Sequence, residues 1–312
     1  MEKIVITPRG FANFGRDQVE YLRNCGYEVH FNDTGRAYDR EQFLALCRDA
    51  DGLIAGVERI DREFVEKCPK IRAVVKFGVG MDNFDLDLLR ERGIYAGRCA
   101  GSNSRSVAET AVCFMLASSK NLFDCVEETR EGNWNKHNGF EVLDKTVGII
   151  GFGAIGREVA RMCNGLGMKV LAYDLADISA EMEHSYGIRK AEFDELLAES
   201  DFVTVHIPLN RETEGFISLD ELKKMKNTAV LINTARGGVV NEQDLYEALE
   251  SRMIRSAWFD VFSSEPPRPG EKLLKLPNFY LTPHIASRSG EAERNTVLIA
   301  TGEILKGLNH HG

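Results

Sequence analysis

The sequence predicts an α/β protein made of two doubly wound parallel sheets, and three observations carry that expectation. Runs of four to seven apolar or β-branched residues alternate with helical periods almost from end to end, the pattern of strands covered on both faces by crossover helices. Near the middle of the chain a glycine triplet, Gly151-Phe152-Gly153-Ala154-Ile155-Gly156, breaks one such run and opens a helix. The alternation then starts afresh, which splits the 312 residues into two series of ordinary domain size.

In the first series, strands are expected at 3–7, 27–31, 52–55, 71–77 and 94–96, with helices near 18–25, 40–49, 61–67 and 86–92. The segment Ala100-Gly101-Ser102-Asn103-Ser104 is small and polar, as a hinge is. One long helix should follow, with Val107, Ala111, Phe114, Met115, Leu122 and Val126 on one face. The second series has six expected strands, at 146–150, 168–173, 202–207, 228–233, 256–261 and 279–281. Helices are expected near 155–167, 194–199, 219–224 and 242–250. A last helical run, about 291–306, has no strand to serve and is expected to return to the first series, which makes the second domain an insertion.

The glycines have a chemical reading. Gly151 permits a tight turn, Gly153 lets backbone approach a pyrophosphate, and Gly156 lets the helix pack on the strand, while the helix N-terminus offers N–H groups to the anion. A chance match in a glycine-rich turn is the alternative. Against it, the next strand ends on Asp174, 18 residues after Gly156, where a dinucleotide fold needs an acid for the adenosine ribose. Leu175-Ala176-Asp177-Ile178 supplies no arginine for a 2′-phosphate, so NAD is expected over NADP.

A net charge of −9 with interspersed signs argues against a nucleic-acid partner. No apolar run approaches the ~20 residues of a membrane helix, and the start Met1-Glu2-Lys3-Ile4-Val5-Ile6 has no signal-peptide core, so no membrane partner and a cytoplasmic location are expected. The seven cysteines show no C-x-x-C pair and no histidine at ligand spacing, so they read as reduced packing thiols, with no metal site. His310-His311-Gly312 reads as a tail.

Three strand ends of the second series carry chemistry. Asn233-Thr234-Ala235-Arg236-Gly237-Gly238 delivers an arginine, whose planar fork suits a carboxylate, to the carboxyl edge where open α/β sheets bind ligands; a surface salt bridge is the bland reading. Asp260-Val261-Phe262-Ser263-Ser264-Glu265-Pro266 and Pro283-His284-Ile285-Ala286 follow the next two strands. A lone histidine is more often structural, but His284 shares this edge with Arg236 and Glu265, and a carboxylate beside a histidine favours the imidazolium and orients it.

In order and spacing these motifs, with Gly78-Val79-Gly80-Met81-Asp82-Asn83 and Ser106-Val107-Ala108-Glu109, resemble the D-isomer-specific 2-hydroxyacid dehydrogenases over nearly the whole chain. The resemblance implies a Rossmann NAD-binding domain at 102–284, inserted in a flavodoxin-like substrate domain formed by 1–101 and 285–312. It implies that Arg236 holds the substrate carboxylate and that His284, paired with Glu265, is the acid/base. Gly78, Val79 and Gly80 would bind the carboxylate through backbone N–H groups, with Lys76 nearby. The cofactor would meet Gly151, Gly153, Ala154, Ile155, Gly156, Asp174, Pro208, Thr213, Thr234 and Ala235, with Asp260 facing the nicotinamide carboxamide.

The implied activity interconverts a D-2-hydroxy acid and its 2-oxo acid, in a homodimer. Lys76-Phe77-Gly78-Val79-Gly80 and the stretch from Asn233 to Glu242 look most like phosphoglycerate-dehydrogenase-type members, which admits a phosphorylated substrate or a hydroxypyruvate or glyoxylate-type acid. Lys76, Arg59, Arg105 and Arg288 could serve a second anionic group, or could be plain surface charges. Ala55-Gly56-Val57 departs from that branch, and no regulatory domain follows His284, so phosphoglycerate oxidation is in doubt. Formate dehydrogenases share the fold but lack the Glu–His pairing, so Glu265 argues against their chemistry. An NAD(H)-sensing, corepressor-like binding protein is the competing class.

Overall fold

The structure is a computed structural model that describes residues 1–309, so the tail beginning at His310 lies outside the described residues. In chain order come β1 (Lys3–Ile6), α1 (Phe11–Phe14), α2 (Arg16–Asn24), β2 (Glu28–Phe31), α3 (Arg40–Cys47), β3 (Gly52–Ala55), α4 (Arg62–Lys67), β4 (Ala73–Lys76), α5 (Leu86–Glu91) and β5 (Tyr95–Arg98). Then follow α6 (Ser104–Ser119), α7 (Leu122–Arg130), β6 (Thr146–Ile150), α8 (Ala154–Gly165), β7 (Lys169–Tyr173), α9 (Ala180–Tyr186), β8 (Arg189–Lys190), α10 (Phe193–Glu199) and β9 (Phe202–Val205). The last are α11 (Leu219–Lys224), β10 (Val230–Asn233), α12 (Glu242–Glu250), β11 (Ser256–Phe259), β12 (Phe279–Leu281) and α13 (Gly290–Asn309). Two compact units result: Met1–Asn103 with the residues from Arg288 on, and Ser104–Ser287. The sequence reading places these boundaries at 101/102 and 284/285.

The first unit is a five-stranded parallel sheet in the order β2-β1-β3-β4-β5, the flavodoxin-like arrangement. Its strands are short, and Ile4, Val5, Ile6, Leu53, Ile54, Val74 and Val75 are fully buried. Asp39, Asp61 and Asp85 start α3, α4 and α5 by accepting the N–H groups of Gln42, Phe64 and Leu88. The final helix returns here: Val297, Ala300, Ile304 and Leu308 of α13 pack with Ile4, Ile6, Ile54, Ala73 and Val75. Gly307 makes that approach possible, since a Cβ there would lie 2.5 Å from the Tyr95 ring and 2.8 Å from Ala73.

The second unit is a seven-stranded parallel sheet in the order β12-β11-β10-β9-β6-β7-β8. Counted from β6, this is the Rossmann order with one strand added. Two expectations need correction. A seventh strand, β8, joins the edge; it is two exposed residues long and too short to give a period. The expected long helix is two helices, because Asn121 takes a left-handed conformation (φ 49°) and turns the chain between α6 and α7. Val107, Ala111, Phe114 and Met115 of α6 are buried, but no residue of α7 is, so Leu122 and Val126 do not extend the α6 core stripe. Two short helices, α1 and α9, are additional to the expected set.

Candidate active site

The strand register aligns the chemistry. Ile150 pairs with Tyr173 and Val205, Val205 with Asn233, Asn233 with Phe259, and Phe259 with Leu281. The next residue after each strand therefore falls in one row along the carboxyl edge: Asp174, Gly151, His206, Thr234, Asp260, Thr282. At about 4.8 Å per strand, the four steps from Asp174 to Asp260 cover roughly 19 Å. The row crosses the switch point between β6 and β9, where the strand order reverses and such sheets bind ligands.

The glycine turn fits a dinucleotide. Gly151 has φ 96°, and a Cβ on it would lie 2.7 Å from the His206 carbonyl oxygen. A Cβ on Gly156 would lie 2.2 Å from the Gly151 carbonyl oxygen, so only glycine allows this helix–turn contact. Around Gly153 the opposite holds: nothing lies within 4 Å of its Cβ position, and as the N-cap of α8 it leaves the Ala154 and Ile155 end of that helix without a side-chain cap. Open space over uncapped N–H groups is what a diphosphate requires. Asp174 is anchored beside this turn, accepting the N–H of Phe152 at 2.6 Å and that of Ala176 at 2.9 Å.

Farther along the row, the hydroxyl of buried Thr234 has no partner among the described residues, an unsatisfied group that suits a bound ligand. Thr213, by contrast, is engaged inside its own turn, donating to the Pro208 carbonyl at 2.6 Å and accepting the Asn210 N–H at 2.8 Å, so it shapes the loop that displays Pro208. His206 lay outside the sequence reading. Its Nε2 is 2.9 Å from the Thr204 hydroxyl, its Nδ1 is buried without a partner among the described residues, and burial pushes its pKa down to about 3, so the ring is neutral.

Arg236 is presented by Asn233, whose side chain accepts the Ala235 N–H at 3.0 Å and donates to the Arg236 carbonyl at 2.9 Å. The half-buried guanidinium donates from Nη1 to the Ala235 carbonyl at 2.8 Å. Gly237 presses this loop onto the one after β11, for a Cβ there would lie 2.0 Å from the Phe262 carbonyl carbon. That second loop is closed by Glu265, which accepts the Phe262 N–H through Oε1 at 3.0 Å and meets His284 Nδ1 through Oε2 at 2.7 Å. Glu242, at the start of α12, holds it from the other side by accepting the Ser263 N–H at 2.7 Å and its hydroxyl at 2.6 Å.

Asp260 is fully buried, and its carboxylate faces the His284 loop. One oxygen accepts the Thr282 hydroxyl and the Ile285 N–H (2.8 Å), and the other accepts the Ala286 N–H (2.7 Å). Its observed work is to hold the loop in which His284 takes a left-handed backbone, φ 54°.

A model of the NAD-binding domain of D-isomer-specific 2-hydroxyacid dehydrogenases matches residues 112–286. The chain belongs to the D-isomer-specific 2-hydroxyacid dehydrogenase family. A D-3-phosphoglycerate dehydrogenase of Archaeoglobus fulgidus is 37% identical over 94% of this chain, which spans 56% of that relative's length. A hydroxypyruvate reductase of Thermotoga maritima is 33% identical over 90% of the chain and 98% of its own length. Among solved structures, a glyoxylate reductase from Paecilomyes thermophila superposes with a TM-score of 0.88 at 28% identity, covering 99% of this chain and 96% of that one. As a member of this D-2-hydroxyacid dehydrogenase family, the chain takes NAD as its cofactor, and the match to the NAD-binding domain model falls within the second unit.

In the first unit, the family-like turn after β4 differs from the sequence expectation in one respect. The Gly78 N–H is already donated to the Lys76 carbonyl at 2.9 Å, with Gly78 at φ 149°, so Val79 and Gly80 are the N–H groups left without an acceptor among the described residues. Lys76 Nζ donates to the Gly56 carbonyl at 2.6 Å and to Asn83 at 2.7 Å, bracing the loop after β3. Of the other cations, Arg288 pairs with Glu293 at 3.1 Å and Arg105 lies 3.9 Å from Glu158.

Proposed function

We propose that the chain is an NAD(H)-dependent dehydrogenase that interconverts a D-2-hydroxy acid and its 2-oxo acid, and that its preferred substrates are short acids of the glyoxylate or hydroxypyruvate kind. The observation that carries the chemistry is the 2.7 Å contact between Glu265 and His284 Nδ1 on the carboxyl edge of the NAD-binding sheet. With Nδ1 taken by the carboxylate, Nε2 is the atom left to exchange a proton with the substrate oxygen. The bound cofactor supplies or receives the hydride at the carbonyl carbon. Arg236 binds the substrate carboxylate bidentately and polarises the neighbouring carbonyl. During reduction His284 gives its proton to the carbonyl oxygen; during oxidation it takes the proton from the hydroxyl. Val79 and Gly80 are assigned to carboxylate binding, and Gly151, Gly153, Ala154, Ile155, Gly156, Asp174, Pro208, Thr213, Thr234, Ala235 and Asp260 to the cofactor side, on resemblance to the family.

The preference for short acids rests on the cations. Of the four candidate cations, Lys76 is held by Gly56 and Asn83, and Arg288 and Arg105 face Glu293 and Glu158, so three are already engaged, while Arg59 is exposed. The test is NADH oxidation with glyoxylate, hydroxypyruvate, pyruvate and phosphohydroxypyruvate. Fastest turnover of glyoxylate or hydroxypyruvate is expected, and a wide preference for the phosphorylated acid would overturn the substrate assignment. No turnover at all, with NADH-dependent assembly, would instead support the sensor reading, which the dehydrogenase and reductase relatives do not favour.

We also propose a homodimer and a cytoplasmic location. Val112, Leu116, Leu122, Phe123, Met162 and Leu166 line an apolar groove of about 570 Å³, and Trp134 stands 80% exposed. A helix with no buried residue beside such a groove suits a two-fold contact with a second copy. All seven cysteines are free thiols, as a reducing compartment keeps them.

A further inference from the structure

The proposed chemistry leaves Ser106-Val107-Ala108-Glu109 without a task. Val107 and Ala108 are buried core residues, so packing accounts for them. Ser106 needs another account. From the first turn of α6 its hydroxyl donates to the Ala286 carbonyl at 2.7 Å, across 180 residues of chain. Ala286 is 3% exposed, and its N–H is the one that Asp260 holds at 2.7 Å. Both backbone polar groups of the residue two places beyond His284 are thereby fixed, one from the sheet edge and one from α6. Within the turn, His284 itself has its N–H on the Thr282 carbonyl at 2.9 Å and a left-handed backbone, so the direction of its ring depends on what holds the next two residues. The Thr110 hydroxyl is an inferior substitute: it lies 3.5 Å from the same carbonyl and 3.1 Å from the Ser106 carbonyl, which it prefers.

We infer that Ser106 is a positioning residue for His284, acting through the Ala286 carbonyl. The inference rests on His284 being the acid/base of the proposed reaction. A purely structural role is the competing account, since a buried carbonyl wants a donor wherever it lies. The two accounts differ in where the loss appears. A donor that only satisfies a carbonyl changes stability, whereas one that aims the histidine changes kcat and has nothing to act on once the imidazole is gone.

The experiment measures kcat and KM for NADH-driven reduction of the fastest acid of the panel, together with NADH affinity by fluorescence titration. It compares wild type, Ser106→Ala, Ser106→Thr, His284→Ala and the Ser106→Ala/His284→Ala double variant. The Ala variant should lose about tenfold in kcat, the upper range for one neutral hydrogen bond, with NADH affinity within about twofold of wild type. Thr keeps the hydroxyl and should recover kcat to within about threefold. In the His284→Ala background the serine change should cost nothing further. An unchanged kcat in Ser106→Ala, a Thr variant as slow as the Ala variant, or an equal loss in both backgrounds would overturn the inference. Near-normal turnover in His284→Ala alone would strike the acid/base assignment itself, and that result is visible before Ser106 is varied.

Discussion

Asp174 and His206, two places apart in the row that crosses the switch point, have different jobs. Asp174 is held against the glycine turn by two backbone N–H groups, at 2.6 and 2.9 Å, so its position does not depend on a ligand to order it. A 2′-phosphate would meet this fixed carboxylate at close range. NADH should therefore give a much higher kcat/KM than NADPH in wild type, and Asp174→Ser should narrow the gap; equal efficiencies in wild type would contradict the role. His206 makes a stability prediction. Its folded pKa is depressed, so as pH falls below about 6.5 the unfolded chain takes up a proton that the folded chain refuses. That proton destabilises the fold by up to about 1.4 kcal/mol per pH unit until the folded group also titrates. In His206→Gln the fall in urea midpoint between pH 6.5 and about 4 should be shallower than in wild type, and parallel curves would contradict it. Of these two residues the acid was legible in the sequence, because its distance from Gly156 is set by a helix and a strand. His206 was not, because its burial and its orphaned nitrogen follow from strand pairing that no local pattern displays.

Elements were most legible where periodicity and caps agree. Eleven of the twelve parallel strands among the described residues, all but β8, and the return of α13 to the first sheet follow from apolar runs and from the lack of a strand after the last helix. The break at Asn121 was hidden because Leu122 and Val126 continue the helical period of Val107 and Ala111, although the backbone turns between them. The Gly78 turn was half legible. The sequence marks a turn with N–H groups to offer, but that Gly78 takes φ 149° and turns its N–H inward to the Lys76 carbonyl is tertiary geometry. At the β6–α8 junction sequence and structure say the same thing, and a sharp prediction follows. Gly156→Ala puts a methyl 2.2 Å from the Gly151 carbonyl oxygen, so the turn must open. NADH affinity should fall at least about tenfold, with a loss of roughly 1–3 kcal/mol in unfolding free energy, as overpacking costs. Wild-type affinity in this variant would mean that the close helix–turn contact does not shape the site.

For the molecule as a whole, thiol chemistry separates packing from assembly. Burial pushes the thiols of Cys68 and Cys99 up to about 11 and that of Cys163 up to about 12, and raises Cys47 as well, so at pH 8 these four should resist a thiol reagent until the protein unfolds. Cys25 and Cys113 are exposed, and Cys113 lines the apolar groove proposed for a second copy. Labelling of Cys113 should slow as protein concentration rises through the dimerisation range, while Cys25 labels at a constant rate. Equal behaviour of the two would count against that face as the interface.

The central claim is that Glu265 and His284 form the proton-handling pair of a 2-oxo acid reductase. It is tested most directly by kcat/KM for NADH-driven reduction in wild type, His284→Ala and Glu265→Gln, with NADH affinity measured alongside. Loss of the imidazole should cost about 10²–10⁴-fold, the usual worth of general acid catalysis, with NADH affinity nearly unchanged. Loss of the charge at Glu265, with its hydrogen-bonding shape kept, should cost less than that but clearly more than threefold, about 0.7 kcal/mol of transition-state stabilisation. Near-normal turnover in His284→Ala, with NADH affinity intact, would contradict the claim.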